Sequence, residues 1–305
     1  MYGYSRSFKL QKSDNITLAA KASKGTRYTA PSWNIEGLKQ GIFTLKHLLQ
    51  QYNIDFAFIS EPQLFKSDSS TTLDFLSDQY CFFLNSKDLF DRELPQHQSN
   101  SYGETLLIWH CRHDPFVTII PPTTCAFTVF VFHPPAHVPS IYYVINLPTH
   151  GKDSEFISDL AALKESITDL KERYPEAMVF VRGDSNVNPK NKKRLLLFNT
   201  LLHDFSFTRL ELHHHTYYHF VGNGSYDSQI DVILHDNLMT DNEAISFILC
   251  SKSCPDILSH HDAMISTFSA QSIDTPELNE NISRAPRIER TRMRIEWNEM
   301  NIHQL

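Results

Sequence analysis

Between residues 29 and 268 the chain alternates short apolar runs with polar, turn-forming stretches, and two longer segments repeat apolar residues at helical spacing. The short runs are rich in β-branched and aromatic residues, the composition of strands that pack on at least one face. Strands are expected at Thr29–Asn34, Phe56–Ile59, Tyr80–Leu84, Thr105–His110, Phe127–Phe132, Tyr142–Leu147, Met178–Val181, Gln229–Leu234, Ile245–Cys250 and Ala263–Phe268. Leu38–Tyr52 places Leu38, Ile42, Leu45, Leu48 and Leu49 on one face of a predicted helix. Ser154–Tyr174 does the same with Ile157, Leu160, Leu163, Ile167 and Leu170. A third helix is expected over Lys190–His203, and the cluster Lys190, Lys192, Lys193 and Arg194 at its start reads as a solvated helix end.

Strands interleaved with helices predict a layered α/β sandwich rather than a bundle. Residues 1–28 are polar, basic and without a period, and are expected to form a flexible N-terminal arm. Residues 29–270 then make one domain, and 271–305 return to the polar, arginine-rich composition of a linker. A length of 305 residues with 41% hydrophobic content is ample for a single buried core.

No window approaches the run of about 18 apolar residues that a membrane span needs, so no membrane partner is expected, and the first twenty residues have no apolar signal segment, so secretion is not expected either. Cys81, Cys111, Cys125, Cys250 and Cys254 are an odd number scattered through a chain too large to need stapling, and they read as reduced. Cys250-x-x-x-Cys254 lacks a second pair, and no cysteine or carboxylate pattern closes a site around His213, His214, His215 and His219, so a structural zinc site is not expected.

The net charge of −7 runs against a nucleic-acid partner, whose phosphates call for Lys and Arg. The charge is uneven, however. Residues 1–27 carry Arg6, Lys9, Lys12, Lys21, Lys24 and Arg27 against Asp14, and residues 284–305 carry five arginines against three glutamates. Basic ends suit a phosphate backbone, and an acidic middle suits divalent cations.

The candidate chemistry lies at the ends of the expected strands: Asn34, Glu61, Asn146, Asp184 with Asn186, Asp231, and the group Ser259-His260-His261-Asp262. Carboxylates that can hold Mg²⁺ or Mn²⁺, an Asp and an Asn two residues apart, and a histidine form the inventory of phosphodiester hydrolysis. No nucleophilic serine or cysteine is required.

The strings Ser32-Trp-Asn-Ile-Glu-Gly-Leu38, Ile59-Ser-Glu61, Arg182-Gly-Asp-Ser-Asn186 and Ser228-Gln-Ile-Asp-Val-Ile-Leu234 resemble motifs of the endonuclease/exonuclease/phosphatase superfamily. The resemblance runs from about Thr29 to about Phe268. It implies a four-layer, DNase I-like α/β sandwich of two packed mixed sheets flanked by helices. By position, Glu61 resembles the metal-binding glutamate, Asn34 its hydrogen-bonded neighbour and Glu36 a further metal-shell residue. Asp184 resembles the aspartate that orients or activates water, Asn186 the asparagine at the scissile phosphate, and Asp231 the partner of a histidine resembled by His261. Asn146 stands where relatives carry tyrosine or histidine.

A second departure is His260, which stands where the family's Ser-Asp-His ending places a metal-side aspartate. Either His260 replaces that aspartate, which favours Mn²⁺ over Mg²⁺, or Asp262 substitutes from a shifted position. The tail Arg294-Ile-Glu-Trp-Asn-Glu-Met-Asn-Ile302 and the segment Tyr217–Ser228 resemble non-LTR, LINE-type retrotransposon endonucleases. That implies a DNA partner, a downstream reverse transcriptase, and action in the nucleus by a protein otherwise cytoplasmic. A phosphomonoesterase or phospholipase of the same fold, or a catalytically decayed element, remains the alternative.

Overall fold

The structure, a computed structural model, describes residues 27–64, 71–86, 104–210, 215–221, 224–236, 246–249 and 259–269. The chain divides after Ser272, and all described residues belong to the first unit.

One six-stranded sheet has the order β13-β14-β1-β2-β4-β3, built from β1 (Arg27–Asn34), β2 (Phe56–Ser60), β3 (Tyr80–Asn85), β4 (Thr105–His110), β13 (Ser246–Leu249) and β14 (Ala263–Ser269). The other has the order β5-β6-β7-β8-β12-β9, from β5 (Val117–Ile120), β6 (Phe127–Phe132), β7 (Ser140–Asn146), β8 (Met178–Asp184), β9 (Phe207–Arg209) and β12 (Asp231–Asp236). A separate hairpin joins β10 (Tyr217–Val221) to β11 (Gly224–Ser228). Among the described residues the α-helices are α1 (Leu38–Gln51), α2 (Asp153–Arg173) and α3 (Lys192–Asp204).

Each sheet is mixed. β1 and β2 are parallel across the α1 crossover, β7 and β8 are parallel across α2, and the other pairs are antiparallel. Three apolar clusters separate four layers. Leu38, Ile42, Leu45 and Leu49 of α1 pack on Trp33, Ala57, Ile59 and Ile265. Phe58, Leu107, Phe130, Tyr142 and Phe180 fill the space between the sheets. Phe156, Leu160, Leu163 and Ile167 of α2, with Phe198 and Leu201 of α3, cover Tyr143, Val181 and Val232. This is the four-layer sandwich that the sequence implied, in the DNase I-like arrangement.

Several details correct the sequence reading. Ile157 is 42% exposed and Phe156 takes its place in the apolar stripe of α2. β1 begins at Arg27, and Tyr28, placed in the N-terminal arm by sequence, is buried edge-on against Phe132. β5, β9 and the β10–β11 hairpin were not expected. Arg194 is no solvated helix end: it is 2% exposed, donates to Pro148 O and Thr149 O at 2.6 and 2.7 Å, and pairs with Asp153 at 2.8 Å. It thereby fixes the loop that leaves β7. Lys190, Lys192 and Lys193 are exposed.

Arg182 is the unusual core residue. It is 1% exposed, and its guanidinium lies 5.2, 5.7 and 5.3 Å from the ring centres of Phe58, Phe180 and Phe268. Nη1 donates to Ser266 Oγ, whereas Nε and Nη2 have no hydrogen-bond partner among the described residues. Burial pulls its pKa down to about 10. Desolvating a guanidinium without a carboxylate costs several kcal/mol, which ring contacts offset only in part. Arg182→Met keeps the length and the ring contacts and is expected to stabilise the fold by about 1–3 kcal/mol. A urea midpoint that rises at unchanged slope is the check; a fall would mean that the cation holds the sheets together.

Candidate functional site

Both parallel crossovers deliver their strands' carboxyl ends to the same edge, where α/β folds place ligands. β1 ends on Asn34, β2 runs into Glu61, β7 ends on Asn146 and β8 on Asp184. The antiparallel partners begin there: Asp231 of β12 lies opposite Asp184, and His261 precedes β14, which runs antiparallel to β1.

Gly183 makes the approach possible. Its φ is +128°, and a Cβ there would stand 2.1 Å from Ile145 O of the neighbouring strand. Glu61 and Asn186 are held at φ +50°. Asparagine tolerates this region, but for glutamate it is a strained conformation, held here by Glu61 N donating to Glu104 O at 3.0 Å and Glu61 O accepting from Gly37 N at 3.0 Å.

At the centre His261 Nδ1 meets Asp231 Oδ2 at 2.9 Å, and its Nε2 lies 3.9 Å from Asp184 Oδ2. Asp184 Oδ2 accepts from Asn34 Nδ2 at 3.0 Å, and its Oδ1 accepts from Asn186 N at 2.8 Å. Asn186 Nδ2 donates to Leu147 O at 2.8 Å, and Asn146 Nδ2 points to Glu104 O at 3.4 Å. A small cavity of about 60 Å³ adjoins them, lined in part by Glu61, Asn146, Leu147 and Lys152.

The structure thus brings Asn34, Glu61, Asp184, Asp231 and His261 together, all buried, with Asn146 and Asn186 flanking. Glu36 and His260 instead pair at the rim: Glu36 Oε2 accepts from His260 N at 2.6 Å and from Ser259 Oγ at 3.2 Å, and meets His260 Nδ1 at 2.9 Å. Asp262 is buried, and its N donates to Thr216 O at 2.7 Å. His215 faces Asp227 at 2.8 Å; His213, His214, Cys250 and Cys254 lie outside the described residues.

Four residues support the site, of which the sequence reading had placed only Ser259 in the candidate group. Ser259 Oγ donates to Asn34 O at 2.6 Å and accepts from His261 N at 3.0 Å, which ties the two strand ends together. Trp33 Nε1 donates to His261 O at 3.1 Å. Thr216 Oγ1 accepts from Asp231 N at 3.4 Å, and the Tyr217 ring lies 4.8 Å from the His261 ring. Trp33 lay within the Ser32–Leu38 string and Tyr217 within the Tyr217–Ser228 segment, whereas Thr216 carried no signal.

Electrostatically the site has surplus negative charge. Burial, then the charges of Asp184 and Glu36, pushes Glu61 up to about 7. Burial and the neighbouring Asp231 push Asp184 up to about 6. Burial pulls on His261 in the opposite sense, but Asp231, Asp184 and Glu36 outweigh it and hold the imidazolium up to about 10. Asp184, Asp231 and His261 have ligand atoms within 4.8 Å of one another. His261 Nδ1 and Asp231 Oδ2 are already committed to each other, however, so this group reads better as a charged hydrogen-bonding series than as a metal cage. The oxygen donors Glu61 and Asn34, the latter also accepting from Glu36 N at 3.2 Å, lie where carboxylates outnumber the His261 imidazolium, which suits a hard divalent cation.

The unfolded chain ionises Glu61 near 4.5 and the folded protein only near 7, so the fold weakens as pH rises between these values, by about 3 kcal/mol at most. A divalent cation held by Glu61 would favour the ionised carboxylate and offset that loss. The rise in Tm produced by Mg²⁺ or Mn²⁺ is therefore expected to be larger at pH 7.5 than at pH 5.5, with Glu61→Gln removing most of the difference. A pH-independent rise would contradict it.

No protein-family model and no curated protein sequence matches the chain. Among solved structures it is similar to the AP endonuclease LMAP of Leishmania major, with TM-score 0.64 and 11% identity over 80% of this chain and 88% of that one. It is also similar to the endonuclease domain of TRAS1, a telomere-specific non-LTR retrotransposon, with TM-score 0.55 and 16% identity over 81% of this chain and 100% of that domain. A third is the 3′ phosphatase NExo from Neisseria bound to a product DNA hairpin, with TM-score 0.59 and 16% identity over 79% and 99%. The chain has the DNase I-like fold that these structures share. Among the described residues no helix is long and apolar enough to cross a membrane.

Proposed function

We propose that the protein is a divalent-metal-dependent DNA endonuclease that nicks one strand and leaves a 3′-hydroxyl, from which a reverse transcriptase joined downstream primes synthesis in the nucleus. The observation that carries this reading is the buried Asp231–His261–Asp184 series, 2.9 and 3.9 Å between successive groups, set beside Glu61 in a site with surplus negative charge. The similarity over the whole TRAS1 endonuclease domain supports the retrotransposon branch.

Glu61, oriented with Asn34, would hold Mg²⁺ or Mn²⁺, which supplies charge neutralisation at the phosphoryl oxygens. Asp184 is mostly ionised at neutral pH, and it orients water and accepts its proton. His261, kept doubly protonated by its carboxylates, donates a hydrogen bond to a non-bridging phosphate oxygen as charge develops there. Asp231 holds the imidazolium in orientation. Asn186 and the buried Asn146 offer amide donors beside the centre, and Arg194 keeps the loop after Asn146 in place. His260, with its Nδ1 against Glu36 and its side chain half-exposed at the rim, would stand beside an incoming metal or phosphate.

The 3′ terminus of the product decides the question. Plasmid nicked by the protein should be extended directly by a DNA polymerase that has no end-processing activity. Nicks that need prior phosphate removal would overturn the priming role, and phosphate release from a 3′-phosphorylated oligonucleotide without nicking would favour the phosphomonoesterase reading.

A further inference from the structure

The cysteines were expected to be reduced and dispersed, yet two of them meet. Cys81 lies on β3 opposite Trp109 of β4, and Cys111 opens the 3₁₀ turn that follows β4. Their Sγ atoms are 3.2 Å apart, and Cys111 N donates to Gln79 O at 2.9 Å, so the turn is fastened beside the strand that carries Cys81. Both residues are half-buried rather than sealed in the core.

We propose that Cys81 and Cys111 form a reversible oxidative cross-link, made by exchange with a small-molecule disulfide. One thiolate attacks the reagent and releases its first thiol. The other protein thiol gives its proton to solvent, attacks the mixed disulfide and releases the second thiol. One reagent disulfide becomes two thiols, and the protein loses two hydrogen atoms. Burial, then contact with Cys111, pushes the Cys81 thiol up to about 12, so the reaction is slow at neutral pH and accelerates as pH rises.

The cross-link would pin β3, the edge strand of its sheet, to the far end of β4, and it would enclose the segment between residues 81 and 111. Closing a loop of this length removes chain entropy from the unfolded state, so the oxidised form is the more stable. It should leave the candidate active site alone. Glu61 leans on Glu104 at the opposite end of β4, about 17 Å away along the strand.

The test is to treat the folded protein with oxidised glutathione at pH 8 and map its disulfides by peptide mass spectrometry. A peptide joining Cys81 to Cys111 is expected, with Tm raised by roughly 5–10 °C and both changes reversed by dithiothreitol. Cys81→Ser and Cys111→Ser should each keep the fold and show neither the joined peptide nor the rise. Stable glutathione adducts on wild-type Cys81 or Cys111, or two unmodified thiols after exchange has reached completion elsewhere in the chain, would overturn the proposal.

Discussion

Asp231→Asn is expected to slow nicking about 10³-fold while Tm moves by only a few degrees. His261 is 3% exposed, and burial alone would strip its proton; the Asp231 carboxylate at 2.9 Å contributes most to keeping it. With asparagine there the hydrogen bond can survive but the charge cannot, and a neutral imidazole stabilises a developing phosphoryl charge poorly. His261→Ala should lose a similar factor. The double variant should be no worse than the more impaired single variant, because the pair acts as one unit. Single-turnover plasmid nicking measures all three. Multiplying losses in the double variant would mean that the two residues act separately.

Gly183→Ala should produce the largest effect on stability, about 3 kcal/mol or more. Its added Cβ would fall 2.1 Å from Ile145 O, which is backbone held in the β7–β8 ladder and cannot swing away, and the φ of +128° is strained for alanine in any case. Relief requires β7 and β8 to part beside Asn146 and Asp184, so activity should fall along with stability. The urea midpoint and the nicking rate of this variant test both effects. Near-wild-type values would mean that the bend at Gly183 is incidental.

Much of the fold was legible because the strands of a double-faced sandwich read as nearly continuous apolar runs, as in Phe127–Phe132 and Met178–Val181. What failed was local. Phe156 and Ile157 both sit at allowed spacing from Leu160, and only the packing of α2 on its sheet selects Phe156. The β10–β11 hairpin had a usable signal in Gly222-Asn223 between aromatic segments, and the register pairs Val221 with Gly224 around it.

The candidate site was legible where residues end strands, and it converged for Asn34, Glu61, Asp184, Asp231 and His261. The pairing of Glu36 with His260 spans 224 positions and had no sequence signature. The same is true of Trp33 reaching the backbone of His261 across 228 positions. The burial of Arg182 was hidden for another reason. Beside the Gly-Asp-Ser-Asn string an arginine reads as a surface residue, and only the twofold alternation that aims it with Phe180 between the sheets reveals otherwise.

On the proposed reading, Asp184, His261, Asp231 and Glu61 act together as one metal-dependent centre for phosphodiester hydrolysis. Relaxation of supercoiled plasmid by the purified protein, with Mg²⁺, with Mn²⁺ and with chelator, tests it most directly. Open-circle product is expected with at least one metal, and it should be lost with chelator and in Asp184→Ala and Glu61→Ala proteins that remain folded. Intact plasmid with both metals, or nicking that survives either substitution, would contradict it.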